Sequence, residues 1–335
     1  MEEVSKELGV QYVVEGSVRK ADSQLRITAQ LVDATTSYHL WAEHYDRALQ
    51  DIFALQDDIR QKIVTALRVK LLPEEQERLK YFPTTNLEAY DYGLRGEAYY
   101  YCFTKEANAQ ARQMLEKAIE LDPQYAAAYA ALGMTYYTDW AFFWNDSPRA
   151  IEQGFALAQR AVTLNDFVPV AHWLLGFAYL HKKQYEQAIA EEERALALAP
   201  NAIFGHIGLG FVLICIGRLE EAIELGERAI RLDPHYAGRY AFDLGHAYYL
   251  LGRYEEALAA LQKTLAWHPN FLPAHGLLAA VYSELGREAE ARAEVAEVRR
   301  ITPAFSLEGL RQRLPYKDPT VLERRLAALR QAGLK

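Results

Sequence analysis

The spacing of hydrophobic positions changes near residue 50, from a period of two to the longer period of a helix. Before that point, apolar and polar residues alternate as in half-buried β-strands. One alternating row contains Leu25, Ile27, Ala29 and Leu31, and an earlier row contains Tyr12, Val14, Gly16 and Val18. A turn at residues 20–24 separates the two rows, and residues 38–47 form a third run. The pattern predicts a three-stranded antiparallel sheet.

Helical segments are predicted on both sides of this sheet. Residues 51–70 carry an apolar residue every three or four positions, and a short helix is expected before the first strand. A unit of about 70 residues with one exposed sheet and two helices buries only a marginal core. We therefore expect this small α/β unit to be incomplete, with further strands supplied by an upstream part of a longer chain or by another subunit.

From residue 89 onward the chain is internally repetitive. Helical patterns end at prolines, of which the last four, Pro200, Pro234, Pro269 and Pro303, are 34, 35 and 34 residues apart. Small residues precede the prolines at fixed offsets, as in Gly176, Ala188 and Ala195, and again in Gly210, Ala222 and Ala229. Small facing residues let two antiparallel helices approach closely, and proline ends the second helix. The spacing predicts stacked helix pairs.

This spacing resembles the tetratricopeptide repeat (TPR), which has a small residue at position 8, alanines at positions 20 and 27, and proline at position 32. The resemblance implies a mainly α fold, an α-solenoid of about six helix pairs. We assign the repeats to residues 89–125, 126–168, 169–202, 203–237, 238–271 and 272–305. The first two repeats are longer than the others, and insertions of this kind map to loops.

Four regions follow from these patterns. Residues 1–72 form the partial α/β unit, residues 73–88 a linker, residues 89–305 the repeat array and residues 306–335 a closing segment. The closing segment contains an amphipathic helix whose apolar side includes Val321, Leu322, Leu326 and Leu329. A solenoid needs its last hydrophobic face covered, so this helix is predicted to cap the array.

Residues 7–47, followed by "DIFALQDDI", resemble the carboxy-terminal half of the TolB-like domain that precedes TPR arrays in bacterial multidomain regulators. These regulators include class III adenylate or guanylate cyclases, serine/threonine kinases and winged-helix activators. Residues 86–100 and 315–334 match the same context. The resemblance implies the regulatory region of such a protein, because the catalytic residues of a cyclase belong to an effector domain that precedes the TolB-like domain.

Composition and charge narrow the function classes. Hydrophobic residues make up 51% and charged residues 24% of the chain, as in ordinary folded proteins. A net charge of -8 gives no attraction to nucleic acid or to an anionic membrane, so neither is an expected partner. The longest apolar stretch, residues 203–217, is too short to span a bilayer and is read as a buried helix. Without a secretory signal pattern, and with only Cys102 and Cys215, the chain is expected in the cytoplasm.

No catalytic or nucleotide-binding motif occurs in the sequence. We therefore expect a protein that is not an enzyme, with no catalytic residues, cofactor or metal. His172, His206 and His275 all fall at repeat position 4, a helix-packing position. They are interpreted as structural histidines.

Candidate binding residues follow from the TPR resemblance, which implies that repeat positions 2, 5, 9, 12 and 13 line the concave face. This partner-binding groove would comprise Tyr90, Tyr100, Tyr101, Met134, Tyr137, Trp173, Phe177, His181, Phe204, Phe211, Phe242, His246 and Tyr249. An aromatic concavity of this size typically marks a binding surface for an extended peptide or an amphipathic helix. Trp173, Phe177 and Phe211 would be the anchors. Alternatively, such residues, Ile207 and Phe211 above all, pack between adjacent first helices.

The insertion in the second repeat, "DWAFFWNDSP", is a second candidate feature. It contributes Trp140, Phe142, Phe143 and Trp144. These side chains would form a lid over the groove, or would pack on the neighbouring repeat because exposed aromatic runs reduce solubility.

The leading hypothesis is a regulatory module that binds an unidentified protein or peptide. One alternative is a sensor in which the aromatic residues hold a small apolar ligand, and a closed pocket narrowed by the insertion would favour it. The other is a homo-oligomer formed through the edge of the amino-terminal sheet.

Overall fold

The structure, a computed structural model, describes residues 10–68, 76, 83–145, 149–200, 202–232 and 237–334. It divides into two units, Met1–Tyr90 and Asp91–Lys335. The short helix predicted before the first strand, most of the predicted linker and Pro234 lie outside the described residues.

The amino-terminal unit contains the predicted three-stranded antiparallel sheet. Its strands are β1 (Tyr12–Ala21), β2 (Gln24–Asp33) and β3 (Tyr38–Ala48), in the order β1-β2-β3. Val14 lies opposite Leu31 and Val18 opposite Ile27, so the two predicted apolar rows share one face.

Helix α1 (Ile52–Leu67) covers only part of that face. Its Leu55 packs against Ala29 of β2 and Tyr45 of β3, and all three side chains are buried. On β1, in contrast, Val14 is 52% exposed and Val18 is 67% exposed. Val32 follows Leu31 directly, yet both side chains are buried, because a register shift between them interrupts the alternation.

Twelve helices form the predicted six pairs. The pairs are α2 (Leu87–Tyr100) with α3 (Lys105–Leu121), α4 (Ala126–Ala141) with α5 (Arg149–Leu164), α6 (Pro169–His181) with α7 (Tyr185–Leu198), α8 (Ile203–Ile216) with α9 (Leu219–Leu232), α10 (Ala237–Leu250) with α11 (Tyr254–Trp267), and α12 (Leu272–Glu284) with α13 (Glu288–Ile301). From α4 to α12, each first helix packs against its own partner and against the neighbouring first helices. In the first pair, Leu115 of α3 lies against Gly96 of α2. The predicted α-solenoid is confirmed.

The small residues act as the spacing predicted. Ala188 and Ala195 of α7 are completely buried, and a Cβ on Gly133 of α4 would lie only 3.1 Å from the carbonyl oxygen of Gly154 on α5. Helix α7 ends two residues before Pro200. Close helix contact and proline termination therefore define the repeat physically.

The histidines at repeat position 4 are structural, as predicted. His172 bonds through Nε2 to the carbonyl oxygen of Asp166 and through Nδ1 to the Glu191 carboxylate, at 2.9 and 2.6 Å. His275 makes the same two bonds, to the carbonyl of Pro269 and to Glu294. Each ring thus ties the turn before its helix to the second helix of the pair.

The array is closed by two helices rather than by one, α14 (Leu307–Arg313) and α15 (Pro319–Gln331). Helix α15 packs against α12, and its Leu326 and Leu329 are completely buried in the same core. The predicted cap is therefore present. The residues between and before these helices do more than cap, because they reach back to earlier repeats.

Candidate functional site

Four consecutive first helices each contribute one ring to a continuous row, here called the aromatic ladder. Its members are Tyr137 of α4, Phe177 of α6, Phe211 of α8 and His246 of α10. The ring centroids of neighbouring members lie 5.1, 5.7 and 6.2 Å apart. Phe177, Phe211 and His246 all fall at repeat position 9, and Tyr137 lies one helical turn later in its repeat, on the same side of the helix; the rings therefore contact one another along the face formed by the first helices. We call this the first-helix face.

Trp173 extends the ladder sideways and adjoins a buried carboxyl group. Its ring lies 5.3 Å from Phe177 and 5.8 Å from Phe204. Beside it, Glu192 of α7 is completely buried in the space left by two glycines, since a Cβ on Gly176 or Gly208 would overlap its carboxyl oxygens. Burial raises the pKa of Glu192 well above its usual value.

The insertion closes the array on itself. The Phe142 ring lies 4.8 Å from Phe103, in the loop after α2, and 5.8 Å from Phe271, at the start of the sixth pair. The neighbouring Phe143 is buried and lies 4.9 Å from Phe305. The insertion therefore joins early repeats to the last repeat, which neither sequence-based alternative anticipated.

The carboxy-terminal segment, residues 305–325, enters the space that the predicted groove would occupy. Arg313 is only 8% exposed, and its Nε donates a 2.6 Å hydrogen bond to the carbonyl oxygen of Trp140. Its guanidinium carbon also lies 3.7 Å from the centroid of the Phe143 ring. The arginine thus combines a charge-assisted hydrogen bond with a cation–π contact.

Tyr316 binds to the end of the aromatic ladder. Its hydroxyl is hydrogen-bonded to Nε2 of His246, and Nη1 of Arg325 donates to the same hydroxyl at 2.9 Å. Burial, assisted by the nearby Arg325 charge, lowers the pKa of His246 well below its usual value. The imidazole is therefore neutral and carries a single N–H; in the tautomer with that hydrogen on Nδ1, Nε2 accepts a hydrogen bond from the Tyr316 hydroxyl.

Three donors of this segment reach carbonyls at the ends of first helices. They are Arg313 Nε to Trp140 of α4, Lys317 N to Cys215 of α8 at 2.8 Å, and Arg324 Nη2 to Leu250 of α10 at 3.3 Å. The last carbonyls of a helix lack intrahelical donors and carry a partial negative charge. The repeat aligns these helix ends, so their carbonyl oxygens form a row of hydrogen-bond acceptors that favours a positively charged segment.

The predicted groove residues differ in accessibility. Met134, Phe177, His246 and Tyr249 are buried; Tyr90, Tyr100, Tyr137, Trp173, His181, Phe204, Phe211 and Phe242 are partly buried; Tyr101 is exposed. Of the predicted lid residues, Trp140 and Phe143 are buried, and Phe142 and Trp144 are partly buried. Tyr249 is completely enclosed and packs against Tyr254 and Arg324, so it has no surface for a partner in this conformation. Binding by the other residues stays a prediction.

Sequence reasoning did not single out Phe103, Phe271, Arg313, Tyr316 or Arg325 as site residues. Phe103 and Phe271 lie in turns, and the other three lie in a segment interpreted only as a cap. The two arginines are distinguished by being buried, and burial cannot be read from a sequence.

Within the described ranges, no three His, Cys, Asp or Glu side chains are placed to share a metal ion. No helix in these ranges has the length and hydrophobicity to cross a membrane.

Comparison with solved structures concerns the fold alone. A thermophilic TPR protein of Thermus thermophilus, TTC0263, is 23% identical with a TM-score of 0.47, over 61% of this chain and 98% of that chain. The human IFIT1 dimer with PPP-AAAA is 20% identical with a TM-score of 0.50, over 58% of this chain and 46% of that chain.

Comparison with sequences identifies the repeats and one relative. Models of the tetratricopeptide repeat match residues 149–203, 205–267 and 249–314. A protein of Rhizobium meliloti (strain 1021) named "Putative adenylate cyclase 3" is 45% identical over 176 residues, which are 52% of this chain and 30% of the relative. The match thus spans less than a third of that relative. Together with the six observed helix pairs, these matches show that the chain contains an array of tetratricopeptide repeats.

Proposed function

We propose that this chain is a non-catalytic regulatory module that binds a peptide or protein partner on its first-helix face. TPR arrays form extended surfaces for protein interaction. One observation carries the proposal: the face already holds a non-helical peptide, residues 314–318 of the chain itself, through the contacts of Tyr316 and Lys317. A surface that binds this segment in cis has the groups needed to bind a similar segment in trans.

The contacts also specify the chemistry of the partner. Carbonyl oxygens at helix ends and the faces of Trp140 and Phe143 favour arginine, whereas neutral His246 favours a hydroxyl donor. The partner would therefore present a basic segment that contains a tyrosine, and it would replace the carboxy-terminal segment. Occupancy by that segment would keep the module closed until the partner arrives.

The relative named as an adenylate cyclase supports placing this module in a cyclase-like signalling protein. Catalysis would then reside in another part of such a protein, and the module would transmit the state of its first-helix face. Cys102 and Cys215 are free thiols, which suits a reducing compartment such as the cytoplasm. The acidic net charge argues against a nucleic-acid partner.

The test is binding in trans. A fluorescent peptide with the sequence of residues 305–325 is titrated into the wild-type chain, into Arg313→Ala and into Arg311→Ala. Arg313 reaches the interior, whereas Arg311 pairs with Glu323 within the closing segment, so the second variant is a matched control. We expect the peptide to bind Arg313→Ala more tightly than the other two proteins, because only that variant has a loosened segment to displace.

Equal binding of the peptide to all three proteins would contradict exchange at this face, and so would no binding to any of them. A peptide in which the tyrosine is replaced by phenylalanine provides the specificity control. It should bind Arg313→Ala more weakly than the parent peptide, since it cannot donate to His246.

Self-association through the amino-terminal sheet is a second candidate, supported by the exposed inner face of β1. Val14 and Val18 continue the buried rows of β2, yet both are more than half exposed. A second copy that covers this face would make the mass in sedimentation depend on concentration. Val18→Lys should abolish that dependence and Ser17→Lys, on the outer face, should not; a wild-type chain that stays monomeric at all concentrations would exclude this candidate.

A further inference from the structure

A cavity of about 340 Å³ lies where the insertion meets the first and last helix pairs. The loop after α2, the insertion and the turn between α11 and α12 surround it. Three aromatic side chains, Phe103, Phe142 and Trp144, line it. The Phe142 ring lies 4.8 Å from Phe103 and 5.6 Å from Trp144, so the rings form one continuous wall. Its volume is at the lower end of the range for small-molecule sites.

The polar groups around this cavity favour a negative charge. Lys105, the first residue of the 17-residue helix α3, is among the lining residues. No aspartate or glutamate occurs among the described residues that line the cavity. The amino-terminal end of α3 adds its own partial positive charge. His268 also lines the wall, and its Nδ1 is buried without a hydrogen-bond partner in the described part of the chain.

The turn after α2 positions one wall of the cavity. Phe103 has a φ of 56°, the left-handed conformation that commonly ends a helix and that also follows α4 and α6, at Phe143 and Lys183. Here the Phe103 ring is fixed by Phe142 and by His268, at 4.8 and 5.7 Å. These two contacts hold the ring that forms this wall of the cavity.

From the cavity, its aromatic wall and its single lining cation, we propose that this site binds a small aromatic carboxylate. The ring of the ligand packs against Phe103, Phe142 and Trp144, and its carboxylate pairs with Lys105. The site is separate from the contacts of Arg313 and Tyr316, so it goes beyond the proposed peptide binding and does not depend on it. Because the walls come from both ends of the array, the ligand also strengthens the closure between them.

The experiment is calorimetric titration of the whole chain with 2-naphthoate, a flat carboxylate that is small enough for the cavity. The neutral 2-naphthamide tests the role of the charge. Lys105→Met removes the cation from α3, and Lys117→Met is its control, because Lys117 lies on the same helix and pairs with Glu120 on the surface. Trp144→Ala removes part of the aromatic wall, and circular dichroism establishes that each variant is folded.

We expect sub-millimolar, saturable binding of 2-naphthoate to the wild-type chain and to Lys117→Met. Lys105→Met should weaken binding about fivefold, the value of one partly exposed ion pair. Trp144→Ala should weaken it about tenfold through the lost ring contact. The naphthamide should bind Lys105→Met and wild type equally, and more weakly than the wild type binds naphthoate.

Absence of saturable binding to the wild type would overturn the proposal. Unchanged binding to a folded Lys105→Met variant would also overturn it, since the substitution lies at an exposed residue and removes only the cation. A third contrary result is equal affinity for naphthoate and naphthamide. None of these results bears on the trans-peptide experiment, which monitors a different part of the chain.

Discussion

The guanidinium of Arg313 donates a 2.6 Å hydrogen bond to the main-chain carbonyl of Trp140, which lies 173 positions earlier in the chain. This contact joins the closing segment to the second repeat, and Trp140 in turn lies beside His181 of the third repeat, with 4.8 Å between the ring centroids. Contacts in a simple solenoid are made between neighbouring repeats. This array is instead closed by contacts through its interior, so loss of a single contact should destabilise several repeats.

Arg313→Ala should lower the free energy of unfolding by about 2 kcal/mol, the scale of a buried hydrogen bond with a charged donor. The substitution also removes the cation–π contact with Phe143. Urea denaturation monitored by circular dichroism measures the change. Arg311→Ala is the control and should have a much smaller effect, because Arg311 and Glu323 form a pair exposed to solvent. Equal losses of stability in the two variants would show that the interior contact stabilises the fold no more than the surface pair does.

Removal of the hydroxyl group should affect the stability differently at two buried tyrosines. Tyr316→Phe should lower the free energy of unfolding by about 1 kcal/mol, because its hydroxyl bonds to His246 and Arg325. The hydroxyl of Tyr249 is buried without a hydrogen-bond partner in the described residues. Tyr249→Phe should therefore leave stability unchanged or raise it. The comparison is made by thermal and urea denaturation, and a larger loss for Tyr249→Phe would contradict the assigned hydrogen bonds.

Substitution by alanine should change the stability in opposite directions at two glycines of the first helices. A Cβ on Gly208 would overlap the Glu192 carboxyl and the edge of the Trp173 ring, whereas a Cβ on Gly276 would meet no atom within 4 Å. Gly208→Ala should therefore destabilise the chain by about 1 to 3 kcal/mol through overpacking. Gly276→Ala should stabilise it by about 0.5 kcal/mol, because alanine favours the helix. Denaturation midpoints measure the two changes in stability. A gain in stability in both variants would mean that the Glu192 side chain moves aside freely.

The pair of His172 and Glu191 predicts a pH dependence. Burial lowers the pKa of His172, but the hydrogen bond to Glu191 and the Asp166 carbonyl outweigh it, so the folded pKa lies above the ordinary 6.5. A raised histidine pKa gives stability that is fully present below the unfolded pKa and is lost as the pH rises through the folded pKa. Glu191→Gln should therefore destabilise the protein more at pH 6 than at pH 9, and should lower the His172 pKa in an NMR titration.

His206 is the internal control for this prediction. It occupies the same repeat position and bonds to the Pro200 carbonyl, but position 225 holds leucine where His172 has Glu191. Burial lowers its pKa. Its contribution is consequently present above about pH 6.5 and is lost as the pH falls. An NMR titration in which His172 titrates below His206 would contradict both assignments.

The sequence by itself determined the local structure. Alternation predicted the strands, and small residues with prolines at a 34-residue spacing predicted the helix pairs, because both patterns act between positions that are close in the chain or in adjacent helices. The structural histidines were predictable for the same reason, since His172 and His275 each bond to the turn just before their own helix and to the second helix of their pair. The burial of both Leu31 and Val32 was not predictable, because a bulge in a strand leaves no clear mark in the pattern.

Only the tertiary structure decided what fills the first-helix face. The contacts of Phe142 with Phe271 and of Tyr316 with His246 depend on the rotation accumulated over several repeats, and small rotations per repeat cannot be read from periodicity. An aromatic at a concave repeat position therefore looks the same in sequence whether it is open to a partner or covered. The sequence specified which faces would be apolar, and the path of the superhelix determined which of them meet.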